Sequence, residues 1–128
     1  KEIGKYIKEK FNHDFVFLID YPQEFRAFYH MRKEEDNKLA KGADLIYRGV
    51  EIVTLAQREH RYNVLKKQAI ERGMNIEMIQ FYLDFFKYGC PPHGGMGMGP
   101  SRILMRMLGL DSIRETMYIF RNPKRLNP

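Results

Sequence analysis

The stretch His93-Gly-Gly-Met-Gly-Met-Gly-Pro-Ser-Arg102 carries glycine at Gly95, Gly97 and Gly99, every second residue. In an extended strand that period puts all three on one face. A face without side chains lets a flat ligand lie on backbone, or another element approach closely. Gly99-Pro100 reads as a helix start, because proline at the first helical position forgoes no hydrogen bond there. Arg102 then falls in the first turn, beside backbone N–H groups that favour anions. The spacing points to a site for something flat and phosphorylated. A Gly-rich turn with an exposed arginine would satisfy the same residues.

Outward from that stretch, the chain alternates strand and helix signals. Ile3, Tyr6, Ile7 and Phe11 give a short amphipathic helix over 1–11. Asp14–Asp20 is a continuous apolar run bounded by acids and reads as a buried strand. Phe25–Tyr29 alternates as a second strand, and the charged Arg32–Lys41 is a surface loop. Ala43–Tyr47 and Val50–Gln57 are further strands around Arg48-Gly49. Tyr62–Arg72 reads as a helix with Asn63 as N-cap and Gly73 as its stop. A second helix runs from Asn75 to near Gly89, burying Ile76, Ile79, Leu83 and Phe86. Pro100–Leu108 is the last long helix, with Ile103, Leu104, Met107 and Leu108 toward the core. A basic tail, Arg121–Arg125, follows. The pattern is an α+β layer with a mostly antiparallel sheet flanked by helices.

At 128 residues the chain is one domain or part of a larger one. It opens on Lys1, in mid-helix fashion, and so reads as a fragment with sequence preceding it. Nine Phe and eight Tyr within a 44% hydrophobic composition supply a core. A net charge of +6 admits a polyanionic partner, although the Lys and Arg residues are scattered. The single Cys90, followed by Pro-Pro, forms no internal disulfide and reads as a packing residue in a reducing compartment. No apolar run is long enough for a membrane span and no signal peptide is visible, so the expected location is the cytoplasm. Ser101 and Ser112 are the only serines and neither sits in a nucleophile elbow; there is no Walker loop and no zinc-ligand spacing. The Met-rich segment (Met96, Met98, Met105, Met107) reads as core.

Asp44 and Glu51 form a second constellation. If Tyr47-Arg48 is the hairpin turn, Asp44 lies opposite Glu51, and two carboxylates that close call for a cation such as nucleotide-bound Mg²⁺. The shifted register pairs Ile46 with Glu51 and leaves two separated acids. Arg58, in an otherwise neutral strand, offers a fork for a carboxylate or phosphate, or else sits on the wet face of a strand end. His60 would share that face, shaping the same pocket or serving as a half-buried structural histidine.

Several segments together resemble the C-terminal part of class II aminoacyl-tRNA synthetases of the aspartyl/asparaginyl group. They are Tyr21-Pro with Arg26-Ala-Phe-Tyr29, Asp44-Leu-Ile-Tyr-Arg-Gly-Val-Glu51 and Ala56-Gln-Arg-Glu-His60. Phe86–Gly95, Gly97-Met-Gly-Pro-Ser-Arg102 and Phe120–Pro128 complete the set. The resemblance implies the class II catalytic fold. Residues 1–128 would be the C-terminal segment of that domain, with motif 3 near 95–108. Motifs 1 and 2 and the anticodon-binding domain would lie upstream, and the segment alone would be inactive.

The resemblance also implies roles. Asp44 and Glu51 would hold the Mg²⁺ that accompanies ATP. Glu51, Gly95, Gly97, Gly99 and Arg102 would bind the nucleotide, and Arg58, Thr54 and His60 the amino acid. Arg102 and Arg58 would be the catalytic pair. The reaction would be aspartate activation to aspartyl-adenylate and transfer to the acceptor end of tRNA, by a homodimer of the full-length protein. Arg58-x-His60 and Pro91-Pro92-His93 look aspartyl rather than asparaginyl. Leu55 stands where the family has glycine, Glu59 where it has Ile, Arg61 where it has Asp, and Ser101 where it has an acid. Those differences admit two alternatives: a paralogue that takes asparagine or makes an amide, and a non-catalytic module that docks tRNA or protein.

Overall fold

A computed structural model describes residues 2–127. One antiparallel sheet has the order β1-β2-β3-β4, with β1 at Phe15–Ile19, β2 at Gly42–Tyr47, β3 at Val50–Arg58 and β4 at His93–Met98. Four helices accompany it: α1 (Glu2–Phe11), α2 (Tyr62–Glu71), α3 (Ile76–Lys87) and α4 (Pro100–Met107). This is the α+β layer expected from the sequence. The chain forms two compact units, one of residues up to Phe17, Leu45–Val53 and Met98 onward, the other of Leu18–Asp44 and Thr54–Gly97.

In the first unit the β2–β3 turn is Arg48-Gly49, with φ of 45° and 78°. Two successive positive φ values in a two-residue loop are the signature of a type I′ turn, whose twist matches that of the strands. The turn therefore sits one residue later than the opposed-carboxylate register requires. Tyr47 pairs with Val50 and Ile46 with Glu51, so Asp44 is not opposite Glu51. Arg48 tolerates its backbone because its side chain is held: Nε and Nη2 donate to Asp14 Oδ2 at 3.1 and 3.0 Å. Lys8 reaches the other oxygen of Asp14 at 3.2 Å. Helix α1 lies directly on the turn. A Cβ at Gly4 would stand 2.6 Å from Gly49 N and 2.7 Å from its Cα.

Two expectations fail here. Helix α4 buries no residue, and Leu104, Met107 and Leu108 are exposed; of the methionines, Met96 and Met98 are exposed as well. Strand β1 is a sheet edge rather than a buried strand, and Phe15, Phe17 and Ile19 alternate outward. A continuous apolar run cannot by itself distinguish one covered face from two.

The second unit owns the main helical core. Leu65 of α2 and Leu83 of α3 are fully buried with Phe86, and Phe28, Tyr29, Ile79, Tyr82 and Cys90 pack around them. Asn75 caps α3 by accepting from Glu77 N at 2.9 Å, as S/T/D/N residues do at this position. Helix α2 starts at Tyr62 as expected, but Arg61 rather than Asn63 is at the N-cap and no side chain caps it. Gly73 ends it at φ 68°. The strand expected at Phe25–Tyr29 is absent; Gln23–Phe25 is a 3₁₀ turn. Arg72, just past α2, donates to the carbonyls of Gln23, Glu24 and Arg26. Those carbonyls are then not available to a ladder. Among the described residues, no helix is long and apolar enough to cross a membrane.

Candidate active site

In the first unit, β4 gives way to α4 through Gly99, whose N–H donates to Ile52 O at 2.8 Å. Pro100 takes the first helical position, as its missing N–H permits. Arg102, one turn in, curls back so that Nη1 donates to Glu51 O at 2.9 Å and meets Glu51 Oε1 at 3.2 Å. Both side chains are nearly half exposed, at 47% and 43%. A pair this wet contributes at most about 1 kcal/mol, so a phosphate can displace it at little cost. Glycine at 99 leaves room for the arginine stem, 3.4 Å from where a Cβ would be. Arg102, Glu51 and a helix N-terminus thus lie together, in a form suited to an anion.

In the second unit, Arg58 stands exposed at the end of β3, its guanidinium 5.9 Å from the Tyr29 ring centre. Phe28, Tyr29, Ile79, Phe81 and Tyr82 line a pocket of about 390 Å³ with it. Burial raises the pKa of the Tyr82 phenol, against the opposing charge of Arg58, so it stays neutral. A small, mostly aromatic pocket with one cation suits a compact molecule bearing a carboxylate. A larger cavity of about 720 Å³ opens elsewhere in this unit beside Gln23, Arg32, Lys38 and Arg72, and touches none of the candidate residues.

Asp44 is buried, and its Oδ2 accepts from Arg26 Nη2 at 2.8 Å. Arg26 in turn stacks on the Tyr21 ring at 3.7 Å. Asp44 Oδ1 is buried with no hydrogen-bond partner. An orphaned carboxylate oxygen of this kind is what a hard cation or a strong donor would satisfy. No group of three or more His, Cys, Asp or Glu able to hold a metal occurs among the described residues.

His30, also buried, has its pKa lowered by burial and by the charges of Arg26 and Arg58, with Asp44 opposing. Sequence reasoning passed over Arg26, Tyr29 and His30. Arg26 was visible within the quoted Tyr21-to-Tyr29 segment, but nothing local signals that its partner lies eighteen residues on.

Thr54 is half-buried on β3. His60 is half-buried with an unbonded Nδ1, and β3 ends at Arg58, so the alternation that would align the two stops short of it. The backbone of β3 at Leu55 and Ala56 runs close against glycines of β2 and β4. A Cβ at Gly42 would be 3.2 Å from Leu55 O, and one at Gly94 3.0 Å from Ala56 O. Two of the other departures, Glu59 and Arg61, answer each other. Glu59 is fully buried, and its carboxylate accepts from Arg61 N, Nε and Nη2 at 3.0, 2.8 and 2.8 Å.

The chain is similar to the aspartate–tRNA(Asp/Asn) ligase of Aeropyrum pernix, 48% identical over 98% of this chain and 28% of the relative. In structure it is similar to an aspartyl-tRNA synthetase from Entamoeba histolytica, with a TM-score of 0.95, 38% identity, and coverage of 99% of this chain and 26% of that one. An asparaginyl-tRNA synthetase from Pyrococcus horikoshii superposes with a TM-score of 0.88 at 32% identity, covering 99% of this chain and 30% of that one. The chain thus spans less than a third of the length of each of these relatives. The model of the class II tRNA synthetases for D, K and N matches residues 1–122, and the chain belongs to that family.

Proposed function

We propose that the full-length protein carrying this segment is an aspartate–tRNA ligase, which activates aspartate with ATP and transfers it to the acceptor end of tRNA. The observation that carries this reading is the state of Arg58. Arg26, Arg61 and Arg102 each hold a carboxylate of their own unit. Among the described residues none is recorded on Arg58, whose recorded contact is an aromatic ring in a small pocket. A guanidinium left unneutralised beside such a pocket favours a substrate carboxylate over a carboxamide, because only the carboxylate accepts a charge-assisted, two-point fork. Thr54 and His60 complete the amino-acid side of this proposal.

On the nucleotide side, Gly97 and Gly99 offer bare backbone, and Arg102 exchanges Glu51 for phosphate. Asp44 and Glu51 would supply oxygen ligands to Mg²⁺, and the unsatisfied Asp44 Oδ1 fits that use. When bound, the ion would neutralise charge developing on the phosphates. Arg58 orients the amino acid for attack by its α-carboxylate on the α-phosphate, expelling pyrophosphate, while Arg102 stabilises the crowded negative charge. A cytoplasmic homodimer is part of the same reading, supported by the family's pattern and the lone Cys90.

The test is amino-acid-dependent pyrophosphate exchange by the full-length protein. Exchange with aspartate, and an aspartate KM raised about 10- to 100-fold by Arg58→Ala, is the expected result. Exchange with asparagine or another acid alone would replace the substrate assignment. No exchange with any amino acid would leave a docking module.

A further inference from the structure

The three period-two glycines are not equivalent. A Cβ built at Gly97 meets nothing within 4 Å, and one at Gly99 stays at ordinary contact distance from the Arg102 stem. A Cβ at Gly95 would instead come within 3.1 Å of Arg58 Nη2, 3.4 Å of Nε and 3.5 Å of Cζ. The whole guanidinium of Arg58 lies across the bare backbone of Gly95. We propose that Gly95 is a positioning residue for Arg58, and so belongs to the amino-acid half of the site rather than to the nucleotide floor. The inference rests on the reading of Arg58 as the substrate-carboxylate clamp.

The physical consequence of a side chain there is specific. The 3.1 Å approach to Nη2 is tight enough that something must shift by a few tenths of an ångström, and the atom in the way is the end of a flexible side chain rather than backbone. The guanidinium gives way and the strand does not. Gly95 is exposed on β4, so alanine would also lower the entropy of the unfolded chain without losing any packing. Gly95→Ala should therefore fold as well as the parent while its clamp points wrongly. A misplacement of ~1 Å can cost about 10²-fold, so a shift of a few tenths of an ångström costs less, about 3- to 10-fold in productive binding.

Pyrophosphate exchange by the full-length protein decides the matter when KM is measured separately for aspartate and for ATP. Gly95→Ala is expected to raise the aspartate KM about 3- to 10-fold, with the ATP KM within twofold and the melting temperature unchanged or higher. Gly99→Ala should show the reverse selectivity, moving the ATP KM and not that of aspartate. A double-mutant cycle adds a readout that a structural role would not move. Arg58→Lys replaces the broad fork with a slim ammonium, so it should cost clearly less in the Gly95→Ala background than in the parent. An ATP KM that rises with that of aspartate, or strict additivity in the cycle, would overturn the assignment. So would an unchanged aspartate KM in Gly95→Ala while Arg58→Ala raises it, which would leave the clamp reading intact. If Arg58→Ala itself leaves the aspartate KM unchanged, the clamp reading falls and this assignment with it.

Discussion

Glu59 and Arg61 show how two unusual residues can be one change. A carboxylate at a fully buried position is costly unless something holds it. Burial pushes the Glu59 pKa up, but the hydrogen bonds and charge of Arg61 outweigh that and leave it lowered. Arg61→Ala should destabilise the chain by about 1–3 kcal/mol, the cost of stranding a buried polar group. Adding Glu59→Ile should recover most of that loss, and denaturant unfolding of both variants checks it. His30 gives a pH signature of its own. Its folded pKa is depressed below 6.5 by burial first, so the unfolded chain binds the extra proton. Its contribution is present above about pH 6.5 and is lost as pH falls through the folded value. His30→Gln should flatten the fall in melting temperature on that acid side, and an unaltered slope would count against the buried neutral imidazole.

The β2–β3 turn sets the geometry of its unit as an element, and α1 rests upon it. Alanine in place of a mid-helix glycine is ordinarily favourable by about 1 kcal/mol. At Gly4 the added methyl would meet the backbone of Gly49 at 2.6 Å, and backbone has nowhere to go. Gly4→Ala should therefore lower the melting temperature, the opposite of what helix propensity dictates.

The same elements show what the sequence could reveal. The hairpin strands, α3 and its cap, and the Gly99-Pro100 helix start were legible because each rests on local chemistry. The register was not, since Tyr47-Arg48 and Arg48-Gly49 are both plausible two-residue turns until the positive φ at Arg48 is seen. The absent strand at Phe25–Tyr29 escaped because Arg72, far along the chain, holds the turn that leads into it by donating to the carbonyls of Glu24 and Arg26. Arg58 and Arg102 were legible as candidates, but which glycine serves which arginine depends on side-chain direction, which periodicity does not carry.

At the scale of the whole molecule, much apolar surface stays wet. On α3 alone, Met78, Phe81 and Phe85 are 74%, 72% and 76% exposed. Contiguous apolar surface of this kind binds hydrophobic dyes and draws chains together, even with the net charge of +6 opposing association. Replacing Met78 and Phe85 with Gln should reduce dye fluorescence while changing stability by no more than about 0.5 kcal/mol, as for substitutions outside the core. A large loss of stability would mean that these side chains are packed.

The contact between Gly4 and the hairpin turn also bears on how such chains can be recombined. A chimera that borrows its first eleven residues from a distant relative inherits a new occupant at position 4, whatever else it conserves. Any occupant with a side chain would lift the turn, and with it the Ile46–Glu51 pairing and the carboxylate that Arg102 holds. Helix α1 is thus a fitted part of the hairpin that carries Glu51, and a shuffled library that treats it as interchangeable should lose stability wherever glycine is lost there.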